Sequence, residues 1–448
     1  MAPQPSKDLG KSAGKAAVRS KIPPDQLLWY EKVSLVAGST MMIVLLPFVG
    51  TIVGSAVLWD ALDRGFMGRP LDGILMTSAT KFNDLTHDFN KKFVKNSEDS
   101  YMVNTVILLG IVIPSCWLYC LYSTLTHGFS PLLCFAYHVF RIGPYFMNFA
   151  YVYTLCHKEG HTRLGLWRPE YKFLNNIFNW WIGLFYGVLP SSFAYGHSIN
   201  HHKYNNGPYD VVTTSDKPRD NFRNFLCYLP RWFGYASNIT TTIQFYKEGN
   251  LQIALKMVTG SLYFLSFACL VSFLSPIFAF WYVLFPMGEN VLLLACVNWC
   301  WHAFLSPDDP EDEFVGSITI FDGPINVLHE DYHVVHHQYP GAHWTKHPDL
   351  YKKHEKTGEY ADHVATMFRN THAFEMFFLI ILREYDQMAE KFYDPKDKLS
   401  HDEKKELIKK RLRTCWWGPR ANLNIKLQGK EIGNLMDGRP NVDSKKTD

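Results

Sequence analysis

From Val33 to Trp59 the chain carries no charged side chain. A helix advances about 1.5 Å per residue, so this stretch is long enough to cross a hydrocarbon core of about 30 Å. Five further apolar runs follow: Met102 to Tyr122, Leu132 to Leu155 (interrupted by Arg141), Phe173 to Tyr195, about Ile253 to Leu274, and Pro276 to Leu305. Polar blocks separate them, so a mean hydropathy of −0.12 conceals strong segregation. The opening segment MAPQPSKDLGKSAGKAAVRSKIPPDQ is polar and basic, which is not the pattern of a secretory signal peptide. The last apolar stretch, Ala373 to Leu382, is too short to span and reads as an interfacial or core helix.

Composition removes several classes. A 15% share of aromatic residues excludes a disordered or low-complexity chain. A net charge of +3, from 45 basic and 42 acidic side chains, is too balanced for a nucleic-acid binder. Nine cysteines, an odd number without a CxxC pair, lie mostly inside apolar runs and read as buried thiols in a reducing setting.

The 19 histidines are clustered. His157 and His161 follow the third run, and His197, His201 and His202 follow the fourth. His302 ends the last run, and His333, His336 and His337 come soon after. On an α-helix, residues four apart share a face. That spacing expects His157 beside His161, His197 beside His201, and His333 beside His336 and His337. Adjacent histidines such as His201 and His202 diverge by about 100° and suit two neighbouring metals. Nine imidazoles exceed the four ligands of a structural zinc and fit two metals with about four or five each. His329 stands open between ligand, supporting residue and neither. The remaining histidines (His87, His127, His138, His343, His347, His354, His363, His372 and His401) read as ordinary core or surface residues. Ligating histidines usually hand their other N–H to a carboxylate or carbonyl. Glu159, Asp210, Asp216, Glu330 and Asp331 are near enough in sequence to serve, or to be plain solvated charges.

HKEGH, HSINHH and YHVVHHQYP, in this order and beside apolar runs, resemble the three histidine boxes of membrane fatty acid desaturases and related hydroxylases. NWCWH, from Asn298 to His302, is similar to an element on the last spanning helix of stearoyl-type desaturases. That likeness implies His302 as a ligand and Asn298 reaching a metal through water. Alkane monooxygenases share the HxxxHH second box. The resemblance covers about Met102 to Pro340. It implies two non-haem irons, O2 as co-substrate, and a membrane lipid or fatty acyl substrate that loses two hydrogens to form a double bond. Hydroxylation of a lipid or alkane is the alternative within the superfamily. A histidine-based metal transporter is the alternative outside it, and ligands at the ends of runs, away from the midplane, argue against that. No GxGxxG or HPGG signature accompanies the boxes, so the expected electron donor is a separate protein, a b-type cytochrome or a ferredoxin with its reductase.

These readings give an all-α integral membrane fold. Its core is four transmembrane helices in two hairpins plus an N-terminal apolar segment, with a cytosolic helical cap carrying the boxes. The expected divisions are a basic tail (1–32), an extra membrane segment and polar loop (33–101), a di-metal membrane domain (102–345), and a cytosolic C-terminal cap and tail (346–448). All boxes must share one membrane face, so Phe173 to Tyr195 cannot cross and is expected to be interfacial or re-entrant. Whether Val33 to Trp59 crosses once or forms a hairpin stays open, since one crossing sets five N-terminal basic residues against the positive-inside tendency. Lys445 and Lys446 resemble a dilysine retrieval signal, implying the endoplasmic reticulum membrane with a cytosolic C-terminus. The sequon at Asn238 then faces the cytosol and stays unmodified. Lys158, Arg163, Arg168 and Lys203 are positive-inside charges, with a headgroup or donor contact as the alternative.

Overall fold

The computed structural model describes residues 27–67, 75–162, 165–323 and 325–416. The dilysine signal, Arg163 and the basic residues before residue 22 lie outside them. Among the described residues the only paired strands are Thr319–Phe321 and Met367–Arg369, parallel, with Thr319 opposite Met367. The rest is helix and turn, as expected of a chain whose apolar segments must satisfy their own backbone groups in lipid. Among the described residues four helices are long and apolar enough to cross a membrane: Trp29–Ala56, Ser97–His127, Leu251–Leu274 and Pro276–Trp301. The chain is an all-α membrane protein.

The run from Leu132 to Leu155 is not one helix. It divides into Pro131–Ile142, a 3₁₀ turn Pro144–Phe146, and Met147–His161. Pro144 cannot continue the preceding helix, and Gly143 takes φ 75°, where a side chain is strained. A Cβ at Gly143 would also stand 2.6 Å from the Asn148 side chain. Neither piece alone reaches spanning length. The membrane-length set therefore includes the first apolar run and omits the third.

The described residues fall into two compact units. One comprises Ile43–Phe193 and Thr259–Leu292. Within it, Ser275 caps the helix that starts at Pro276, its hydroxyl accepting from Phe278 N at 3.4 Å. The Trp117 indole donates to Tyr282 O at 3.2 Å, and that of Trp181 to Gly110 O at 2.8 Å. The residues after Pro169 form only short pieces, Pro169–Leu174, Ile177–Trp180 and Ile182–Tyr186. They are held by side chains rather than by a continuous helix. Glu159 accepts from Asn179 N and Nδ2 at 2.8 and 2.9 Å, and Tyr153 donates to Tyr186 O at 2.7 Å. Arg141 and Glu289 form a fully buried ion pair, with His138 Nδ1 3.1 Å from the same guanidinium.

The other unit comprises the described residues within Met1–Met42, Ala194–Val258 and Leu293–Asp448. One core gathers Phe314, Val334, Val335, Tyr351, Tyr360, Ala365 and Met367. Another gathers Phe245, Ala254 and Met257, with Tyr195 and Ile199 against it. The helix Ala373–Leu382 buries Met376, Phe377, Leu379 and Ile380 and exposes Phe378 and Leu382. Asn238 is fully buried, and its amide donates to Met257 O at 3.4 Å. An acceptor asparagine must be exposed to be glycosylated, so treatment with an amidase that removes N-glycans is expected to leave the electrophoretic mobility of the full-length protein unchanged.

Candidate metal centre

Seven of the nine expected ligands lie in the second unit described. The segment Ser192–His201 is wound as a π-helix, with bonds from i to i+5. On an α-helix, residues five apart would point about 140° away from each other. Here His197 and His202 face each other, Nε2 to Nε2 at 2.9 Å. The His201 ring also lies beside that of His197, centroids 5.1 Å apart, as four-residue spacing expects, but its Nε2 is directed elsewhere. His336, on the helix His333–Gln338, brings its Nε2 to 3.1 Å from that of His202. The ligand atoms of His197, His202 and His336 lie within 4.8 Å of one another.

His201 turns the other way. Its Nε2 is 3.1 Å from that of His302, and the ligand atoms of His201, His302 and His337 also lie within 4.8 Å of one another. His333 joins this group, with Nε2 3.2 Å from His302 Nε2 and its ring 4.6 Å from that of His337, four residues on. His336 therefore parts from His333 and His337, against the expectation that all three share one site. Adjacent residues on a helix diverge, and the HxxHH spacing serves two groups. The divergence expected of His201 and His202 is what the structure shows, with the His202 and His337 rings 4.4 Å apart between the groups.

Hydrogen bonds set the tautomers. His201 Nδ1 is 2.6 Å from Asp210 Oδ2, and His302 Nδ1 is 3.2 Å from Gly316 O. A carbonyl or carboxylate only accepts, so each Nδ1 carries the proton. Each Nε2 is then the nitrogen that can ligate, and the two face each other across 3.1 Å. Burial, with His201 as a lesser cause, pushes His302 well below the ordinary imidazole range, which favours the neutral ring. A cation between the two nitrogens would accept from both. Two nitrogens each about 2.1 Å from a metal, at angles of 90–110°, stand about 3.0–3.4 Å apart. The residues present therefore fit a metal.

Asp210 also accepts from Asn206 N and Val212 N, each at 3.0 Å, so its carboxylate is fixed before it orients His201. Asn298 donates to Tyr228 Oη at 2.8 Å and to Val212 O at 3.4 Å, bracing the loop that carries Asp210. His329 belongs to neither ligand group. It takes φ 54°, and its carbonyl lies 3.3 Å from His347 Nδ1. Glu330 and Asp331 are buried before His333. Burial, then the Glu330 charge, pushes the Asp331 carboxyl up to about 8.

Other carboxylates went elsewhere. Asp216 forms a bidentate pair with Arg231, at 2.9 and 2.7 Å. Burial opposes its charge, but Arg231 and Lys217 outweigh this and hold it well below the usual range. Glu159 braces Asn179, and burial, against those hydrogen bonds, pushes it up to about 7. Lys203 pairs with Glu248 at 3.2 Å, and Arg168 donates to Val94 O at 3.0 Å.

In the unit Ile43–Phe193 with Thr259–Leu292, His157 and His161 end the helix Met147–His161 and face each other, Nε2 to Nε2 at 3.0 Å, as four-residue spacing expects.

Several residues at the site carried no sequence signal. Asn206 Nδ2 and Thr214 Oγ1 donate to His302 O at 3.2 and 2.6 Å. Trp301 lies against His333 with ring centres 4.1 Å apart. His347, read above as ordinary, is fully buried with its ring 5.9 Å from that of His336.

No curated protein and no solved structure matches the chain. A family model described as fatty acid desaturase matches residues 130–371, more than half of the 448, and that span contains every imidazole of the three boxes and His302. With four membrane-length helices and buried imidazole groups spaced as metal ligands, the chain belongs to the fatty acid desaturase family, a family of oxidoreductases.

Proposed function

We propose that the protein is an O2-dependent desaturase of fatty acyl chains with two irons held entirely by histidine. The observation that carries this reading is the pair of imidazole groups around His202 and His302, with nitrogens spaced as ligand edges. Imidazole accommodates several metals; zinc lacks the redox chemistry that O2 activation needs, and family membership favours iron. His201, His302, His333 and His337 would hold one ion, and His197, His202 and His336 the other. His157 and His161 are candidate ligands on their likeness to the first histidine box.

Iron in these positions would supply the one-electron chemistry with O2 that cleavage of a methylene C–H bond requires. Overall, two hydrogens leave the chain, two electrons and two protons are added, and O2 becomes two waters. The protein's own part is to hold and orient. Asp210 keeps the proton on His201 Nδ1, Gly316 does the same for His302, and burial keeps bulk water from the rings. The electrons would come from a separate carrier, a b-type cytochrome or a ferredoxin with its reductase. Residence in the endoplasmic reticulum with a cytosolic C-terminus is proposed from Lys445 and Lys446.

Expression in a yeast lacking its own desaturase, followed by mass-spectrometric lipid profiling, tests the reading. The expected outcome is a new double bond. A new hydroxyl group would move the protein to the hydroxylase branch. An unchanged profile from an iron-loaded protein supplied with donor would overturn the proposal.

A further inference from the structure

We propose that the C-terminal helix His401–Arg413, outside the stretch matched by the family model, belongs to the scaffold of the His201–His302–His337 group, and that Arg219 is the positioning residue coupling them. The inference rests on the two-metal reading above.

Arg219 is fully buried. Its Nε donates to Ala303 O at 2.7 Å, one nitrogen donates to Lys217 O at 2.5 Å, and the other to Arg411 O and Thr414 O at 2.8 and 2.6 Å. Ala303 follows His302 directly. Lys217 lies on the loop that carries Asp210. Arg411 and Thr414 are at the end of the C-terminal helix, where carbonyls lack intrahelical partners and the dipole favours a cation. One guanidinium thus joins three segments through four carbonyls.

The main chain adds three stitches. Arg219 N donates to Leu412 O at 2.9 Å, Leu305 N to Arg411 O at 3.2 Å, and Trp416 N to Ser215 O at 2.8 Å. The Trp416 ring lies on Gly207, where a Cβ would stand 3.0 Å from it and 2.7 Å from Tyr204 O. A buried cation that loses half its acceptors is costly, so a displaced helix end must shift Arg219 and, through it, Ala303 and the Asp210 loop. None of these bonds reaches His197, His202 or His336. The coupling is therefore selective for one of the two metals.

The test uses the full chain. Metal equivalents are measured by anaerobic Fe(II) loading with elemental analysis, and by Co(II) titration followed by its visible absorption. Wild type and Lys410→Ala, a change at an exposed position, are expected to bind two equivalents. Arg219→Gln and Lys410→Pro, which distorts the last turn, are expected to bind one, and adding His336→Ala to either removes it. Arg219→Lys keeps the charge without the fork and is expected to weaken the second equivalent about tenfold. Two equivalents in both Arg219→Gln and Lys410→Pro, or loss of both together at wild-type helix content, overturns the inference. Where Arg219→Gln does not fold, Lys410→Pro decides. A wild-type chain binding fewer than two equivalents overturns the two-metal reading itself, so the two failures are distinct.

Discussion

Replacing His302 by alanine is expected to abolish the lipid product and to remove one of two irons, with the protein still present at near wild-type level. The Nε2 of His302 stands 3.1 Å from that of His201 and 3.2 Å from that of His333, so its loss removes the donor between two others. Asp210→Asn should be milder. The amide leaves the ring in place but no longer offers a charged acceptor to His201 Nδ1–H, and loss of such a partner lowers metal affinity or activity by about 10–100-fold. Product profiling and iron analysis on the same membranes check both variants. Wild-type turnover from His302→Ala would show that this imidazole is not a ligand.

The second large effect concerns Arg141 and Glu289, which pair with both side chains fully buried. An ionisable group among membrane-length helices is expensive unless paired. Arg141→Leu or Glu289→Leu alone is expected to destabilise the protein by about 3–5 kcal/mol, because each leaves an uncompensated buried charge. The double variant Arg141→Leu/Glu289→Leu should return to wild-type stability or above it. Thermal unfolding in detergent, compared across the four proteins, measures this. Equal losses from the singles and the double would mean that the pair contributes only through packing.

The identity of the centre was legible in the sequence because metal ligation needs particular side chains in short local spacings. His157 with His161, and the divergence of His201 from His202, follow from helix geometry. The partition of the other histidines did not, since nothing in SFAYGHSINH announces π winding, which brings His202, five residues on, against His197, while the His201 Nε2 goes to His302. The apolar run through Phe140 and Val152 read as one spanning helix because hydropathy averages across Gly143-Pro144. Proximity in sequence selected Asp210 rightly as a support. It also suggested Glu159 and Asp216, which serve Asn179 and Arg231. His347, Asn206, Thr214 and Arg219 reach the site through contacts between residues distant in sequence, which no local pattern encodes.

The unusual winding through His197 changes what counts as a lesion at this centre. A substitution that tightened the segment to ordinary pitch would swing one imidazole out of reach while leaving every ligand residue in place. A designer who transplanted the motif onto a regular helical template would copy the letters and lose the chelate. The backbone's pitch is as much a part of the binding code here as the identity of the side chains.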